Sequence, residues 1–201
     1  MAKLQLNKSS LSREQKNLKT YRQFLPSLDL KRQELMRQQA NAKKTLFQTE
    51  EEINTLLKLT GEEIPMLSNE RIDLHDLVKV TGIKLATENV MGASLPVLEK
   101  VDIKVRDYSF LAKPHWVDAV VERLKDLLLL KIRMQIEKRR LVLLNHAVKT
   151  ITQRVNLFEK VLIPRAQENI KRIKIYLSDT ERANIVIAKV AKKKRQMEIP
   201  L

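Results

Sequence analysis

The chain is predicted to be all-α dominated: a long antiparallel two-helix coiled coil formed by its N- and C-terminal flanks, with a small middle block that includes a short β-hairpin. Three observations predict it. Apolar residues recur at a helical period along both flanks. Only 3 Gly and 6 Pro punctuate 201 residues, so turns are few and elements long. Charged residues make up 31% and aromatics 4%, which suits Leu/Ile/Val seams between helices better than a compact sheet. The blocks divide as 1–60, 61–113 and 114–201.

In the first flank, heptad position a at 11, 18, 25, 32, 39, 46 and 53 and d at 14, 21, 28, 35, 42, 49 and 56 gives ten apolar residues of fourteen. Glu14, Arg32, Gln39 and Thr49 are the exceptions. A seven-residue repeat held this long predicts one strand of a coiled coil. Ser12 with Gln15 offers a capping box for its start, and Thr60-Gly61 a stop. Pro26 costs an isolated helix interior about 3 kcal/mol. The register nevertheless runs unchanged from Leu25 to Leu28 and leaves Pro26 at b, off the seam, which predicts a kink rather than a break.

The middle block changes period. VDIKV (101–105) alternates apolar and polar residues, as do VKV and IKL (78–85) around Gly82, and Gly92 in NVMGASLP supplies a turn between them. A hairpin over about 78–105 follows.

The second flank opens at Pro114, a good first helical residue, with Asp118 and Glu122 near the positive end of the helix dipole. Its seam runs Leu141, Leu144, Val148, Ile151, Val155, Phe158, Leu162 and continues through Ala166, Ile170, Ile173, Leu177, Thr180, Asn184, Ile187 and Ala191. Three successive four-residue steps from Phe158 to Ile170 form a stutter, which locally unwinds a left-handed supercoil. Pro164 sits there, facing outward. Around 120–136 (VVERLKDLLLLKIRMQI) apolar residues cover more than one face, so a further protein or the middle block is expected to pack on them. At 1.5 Å per residue the flanks would span roughly 70 and 120 Å, with both termini at one end of the hairpin.

Charge is unevenly placed. Residues 1–58 carry 12 basic and 6 acidic residues, 59–112 carry 6 and 9, and 113–201 carry 21 and 9, which sums to the net +15. Basic flanks are expected to face an acidic partner. Without Cys there is no disulfide framework and no thiolate metal site, and a reducing cytoplasm fits. MAKLQLNKSS lacks an apolar signal core, and Leu127 to Leu130 is bracketed by Asp126 and Lys131, so no membrane span is expected.

No phosphate-binding loop is present, and Gly61, Gly82 and Gly92 are each assigned to turns. His75, His115 and His146 are isolated and read as surface or partly packed residues, with no metal or other cofactor. The run Glu50 to Glu52 reads as a solvated helix face rather than a catalytic one. Trp116 and Leu127 to Leu130 read as core. AKKKRQ (191–196) would need a spread of basic residues with stacking aromatics to bind nucleic acid, and the closest aromatic is Tyr176. It is read instead as a solvated tail or a protein-contacting tip.

Six segments, in order, carry a resemblance: LNKSSL (6–11), LPSLDLKRQELM (25–36), NVMGASLPVLE (89–99), TQRVNLFEKVLIPRAQENI (152–170), LSDTERANI (177–185) and KVAKKK (189–194). Together they resemble the D subunit of the V-type (V/A-type) ATPases and ATP synthases, over most of the chain. Lys8-Ser9, where the family usually has Pro-Thr, and Pro26 depart from its pattern.

The resemblance implies a non-catalytic central-stalk rotor shaft, cytoplasmic and peripheral to the membrane. Such a shaft couples ATP hydrolysis or synthesis in a ring of catalytic A and B subunits to proton or sodium transport. It also implies contact with the F subunit and with a membrane-side funnel subunit. Carried onto this chain, the ring-facing tip would comprise Leu4, Leu11, Arg13 and Leu18 with Arg182, Lys189, Lys192, Lys193 and Lys194. The base with its hairpin would include Asn89, Met91, Gly92 and Pro96, and the apolar excess near 120–136 would lie against the base or the F subunit. Two other readings remain. A shaft of the F-type gamma class needs an α/β domain between its helices, for which residues 62–112 are too few. A basic coiled coil serving as a nucleic-acid binder or scaffold would show steeply salt-dependent DNA or RNA binding.

Overall fold

The computed structural model describes residues 5–68, 77–107 and 114–197, the side chains of 67, 68, 196 and 197 excepted. Helix dominates them. Helix α1 spans Lys8–Glu63, followed by a 3-10 turn at Pro65–Ser68. Strands β1 (Val78–Val90) and β2 (Ala93–Val105) form a two-stranded antiparallel sheet. Helix α2 spans Trp116–Leu157, a π-helical turn covers Phe158–Leu162, and helix α3 spans Ile163–Met197. Pro26 and Pro164, the prolines within these helical runs, are both exposed.

Several local expectations change. Helix α1 starts at Lys8 rather than at Ser12, because Asn7 caps it: the Asn7 Oδ1 accepts the Ser10 amide at 2.7 Å and the Asn7 carbonyl accepts the Leu11 amide at 3.0 Å. It also runs through Thr60-Gly61, where the Ile64 amide reaches the Thr60 carbonyl at 3.0 Å. Glycine ends a helix only when the backbone turns left-handed, and Gly61 does not. Gly82 lies in β1 beside a register shift rather than in a turn, leaving Gly92 as the one glycine of the three in a turn. Pro114 precedes α2 by two residues and accepts the Val117 amide at 3.0 Å.

The chain forms two compact units. The first comprises residues 1–30 and 151–201. Here the start of α1 runs antiparallel to the π turn and α3, as Glu14 meets Asn169 (3.4 Å) and Tyr21 meets Phe158 edge to face with ring centroids 5.5 Å apart. Ser10, Ile151, Val155, Ala166 and Ile173 are buried. The expected stutter takes the form of the π turn: the Ile163 amide bonds to the Phe158 carbonyl, five residues back. At about 100° per residue, Ala166 would sit about 80° off the stripe defined by Phe158. One residue absorbed in the wider turn returns it to within about 20°. The same widening relieves the clash between the Pro164 ring and the carbonyl four residues earlier.

The second unit comprises residues 31–150. Here the rest of α1 runs antiparallel to α2, through Gln39 to Asn145, Thr49 to Glu137 (2.9 Å), Lys138 to Glu50 (3.2 Å) and Arg123 to Glu63 (2.8 Å). Leu77, Val117 and Val121 form a buried cluster, with Val78, Val105 and Trp116 packed against it. Trp116 is thus part of a core edge, as expected. Leu95 of β2 is fully buried, and Arg140 of α2 holds Glu88 of β1 at 2.8 Å.

All fourteen a and d positions of α1 are buried or half-buried, including the polar exceptions Glu14, Arg32, Gln39 and Thr49. On the second flank the seam stays at least half-buried from Leu141 to Leu177. Thr180, Asn184, Ile187 and Ala191 are exposed. The expected continuation of the seam to Ala191 therefore has no packing partner among the described residues. Glu14 lies opposite Asn169 and α1 begins six residues earlier, so α3 runs past the start of α1 close to Tyr176.

Candidate functional site

Among the described residues no three His, Asp or Glu side chains gather to hold a metal ion, and no helix is long and apolar enough to cross a membrane. His115 and His146 are exposed, whereas His75 lies outside the described residues. Three surfaces are the candidates.

The first is the end of α3. Every residue from Asp179 to Arg195 is exposed, so Arg182, Lys189, Lys192, Lys193 and Lys194 all present their charges on one helical segment. At about 100° per residue, Arg182, Ile185, Val186, Lys189 and Lys193 fall within about 60° of a common line. Ile185, Val186, Ile187 and Val190 are 51–65% exposed and fall within six residues of one another, a local apolar cluster in water. The segment offers apolar surface and cations on one face. Of the N-terminal residues expected to join this tip, Leu11 and Leu18 are half-buried in the seam of α1 and Arg13 is exposed. Leu4 lies outside the described residues.

The second is the tip of the β-hairpin. Met91 and Gly92 connect Val90 to Ala93 with φ of 51° and 91°, both positive, as a type I′ turn requires. The Asn89 Oδ1 accepts the Gly92 amide at 2.9 Å and closes the turn. Asn89, Met91 and Gly92 therefore act as one unit with an exposed methionine at its apex. Pro96 pairs with Thr87 in the sheet and lines a 350 Å³ cleft with Val97, Leu98, Leu129, Arg133, Ile136, Glu137 and Arg140. The hairpin thus covers part of the apolar excess expected on 120–136.

A third surface was not resolved by sequence reasoning. Gln48, Glu51, Glu52, Thr55, Leu56, Leu59, Asp126, Leu129 and Leu130 line an open groove of 760 Å³ between α1 and α2. Its floor is leucine and its rim carries three carboxylates, while Glu50 of the same acidic run pairs with Lys138. The signals were present separately, in the Glu50 to Glu52 run and in the leucine surplus at 127–130. Their meeting depends on the α1/α2 pairing. Elsewhere on the hairpin, Lys100 lies 2.8 Å from Asp102. Their hydrogen bond, then their charge attraction, raises the lysine above its usual range and lowers the aspartate below its own; Lys84 adds a smaller push on Asp102.

The comparisons with known proteins agree across nearly the whole length. The family described as the D subunit of ATP synthase matches residues 10–193. A protein of Borreliella burgdorferi, named as the D subunit of a V-type ATP synthase, is 31% identical over 192 residues, covering 96% of this chain and 95% of that one. A protein of Chlamydia muridarum with the same name is 30% identical over 211 residues, covering 97% of each chain. One from Chlamydia pneumoniae is 29% identical over 201 residues, covering 96% of this chain and 94% of the other.

Proposed function

Since the chain belongs to the family of ATP synthase D subunits, we propose that it is the central rotor shaft of a V-type rotary ATPase. It passes torque between the catalytic A/B ring and the ion-translocating rotor in the membrane. The observation that carries this reading is the uncovered end of α3, where cations and apolar side chains share one face with nothing of the described chain packed on them. A shaft must turn against a ring without a strong hold at any one angle. Mobile Lys and Arg side chains exchange carboxylate partners at little cost, because each exposed pair is worth only about 0.2–1 kcal/mol.

In this reading the tip within the ring comprises the start of α1 and the end of α3. The hairpin, with Asn89, Met91 and Gly92 at its turn and Pro96 in β2, faces the funnel subunit on the membrane side, and the F subunit covers leucines of the 120–136 stretch. The shaft itself is non-catalytic and binds no cofactor, and the complex places it at the cytoplasmic face of the membrane.

Charge reversal at Arg182, Lys189, Lys192, Lys193 and Lys194 together is expected to weaken coupling to the ring by roughly 1–5 kcal/mol and to reduce ATP-driven rotation in a single-molecule assay. Unchanged rotation and torque would remove the tip from the mechanism. Purification of the chain from its own cells is expected to bring two large ATPase subunits with it. Nucleic acid in their place would identify a basic coiled-coil binder.

A further inference from the structure

The acid-rimmed groove and the end of α3 are complementary. Glu51, Glu52, Leu56 and Leu59 lie on one face of α1, and Asp126, Leu129 and Leu130 on one face of α2. The carboxylates of Glu51, Glu52 and Asp126 are exposed and make no hydrogen bond or ion pair with any described residue. Leu59 and Leu129 between them are 45% and 42% exposed. An apolar floor rimmed by unpaired charge of one sign fits an amphipathic helix whose apolar stripe is flanked by the other sign.

The end of α3 has that pattern. Arg182, Lys189 and Lys193 are exposed, pair with no described residue and share a face with Ile185 and Val186. Glu52 to Leu59 and Arg182 to Lys189 are each two turns of helix, roughly 10 Å at about 1.5 Å per residue. Three carboxylates thus meet three cations over a common length. We infer that, outside any complex, the end of α3 of one copy docks in the acid-rimmed groove of a second copy. The copies repel as wholes, each at net +15, but at physiological salt charges more than about 8 Å apart are largely screened, and the side chains in contact decide. Ion pairs that stay in water contribute little each, so the association is weak, on the order of 100 µM, and a scarce chain keeps its α3 bare. The inference rests on these two surfaces and not on the shaft reading; in that reading other subunits claim both, which confines the contact to free chains.

The test uses the full chain after nuclease treatment. Sedimentation equilibrium is expected to show a mass that rises with concentration. One variant carries Glu51→Lys, Glu52→Lys and Asp126→Lys; the other carries Arg182→Glu, Lys189→Glu and Lys193→Glu. Each alone sets like charge against like and should need at least tenfold more chain to associate. Mixed, they should associate again, because the α3 of each then opposes the charge of the other's groove. Both variants stay net positive, so bulk attraction does not bring them together. In a mixture of isotope-labelled and unlabelled wild-type chains, carbodiimide, which joins amines to carboxylates without a spacer, should link Lys189 or Lys193 of one copy to Glu51, Glu52 or Asp126 of another.

A chain that stays monomeric into the millimolar range overturns the inference. Association that both variants retain also overturns it and assigns the contact to apolar side chains alone. Association lost on nuclease treatment overturns it in favour of nucleic acid. None of these outcomes touches the rotation assay, and a failure there leaves the contact between copies in place.

Discussion

At the scale of single residues, the hairpin and the coiled-coil seam each contain a side chain whose role follows from its surroundings. Gly92 has φ of 91° and nothing within 4 Å of where a Cβ would stand, so only backbone strain opposes a side chain there. Gly92→Ala is expected to destabilise the hairpin by about 1 kcal/mol, read from faster amide exchange at Val90 and Ala93. Buried Thr49 has its hydroxyl 2.9 Å from Glu137 Oε2 and 3.0 Å from the Thr45 carbonyl. Thr49→Val should cost about 1–2 kcal/mol in urea unfolding, because the half-buried carboxylate loses a donor. Thr49→Leu combined with Glu137→Leu should recover most of that loss. Asp102 offers a pH signature. Its lowered folded pKa means that its contribution is complete above about 3.9, the unfolded value, and is lost as pH falls through the lower folded value. In Lys100→Ala the carboxyl should titrate at higher pH by NMR, with the smaller effect of Lys84 remaining.

At the scale of elements, periodicity proved the most legible property. The positions Leu11 to Leu56 all came to lie at the seam because a heptad is written in one strand alone, and the Gly92 turn was legible because its chemistry is local. Burial is not local. The spacing continues past Leu177 through Thr180, Asn184 and Ile187, where two of the three residues are polar, and only the earlier, wholly apolar part has a partner helix beside it. The stutter was visible as spacing, but its form as a π turn depends on Pro164 and on keeping Phe158 and Ala166 on one face. Deletion of Val161 together with Pro164→Ala should convert the π turn to α-helix and retain the seam, since seven residues then separate those two positions. Deletion of Lys149, within regular helix, should instead rotate Ile151, Val155 and Ile173 away from α1. Thermal melts of the full chain should separate the two deletions by several °C.

At the scale of the whole molecule, a net charge of +15 is compatible with many partners, and the clustering of cations on α3 is what gives it direction. The acid-rimmed leucine groove shows why some of the surface stayed hidden in the sequence: Glu51 and Leu130 are far apart in the chain and meet only through the pairing of two helices. The same dependence governs the hairpin, where the register sets which residues stand opposite each other, Thr87 and Pro96 among them. The isolated chain is expected to release no phosphate from ATP above background, in contrast to the complex that contains it.

The bare end of α3 also bears on the life of the protein before assembly. Exposed Ile185, Val186, Ile187 and Val190, on a helix end that no other described residue covers, form a segment that opens readily, and the surrounding Lys and Arg are cleavage points for trypsin-like proteases. If the chain is the proposed shaft, a copy still waiting for its ring is the vulnerable one, and surplus copies would be cleared while engaged ones endure, matching their number to the number of rings.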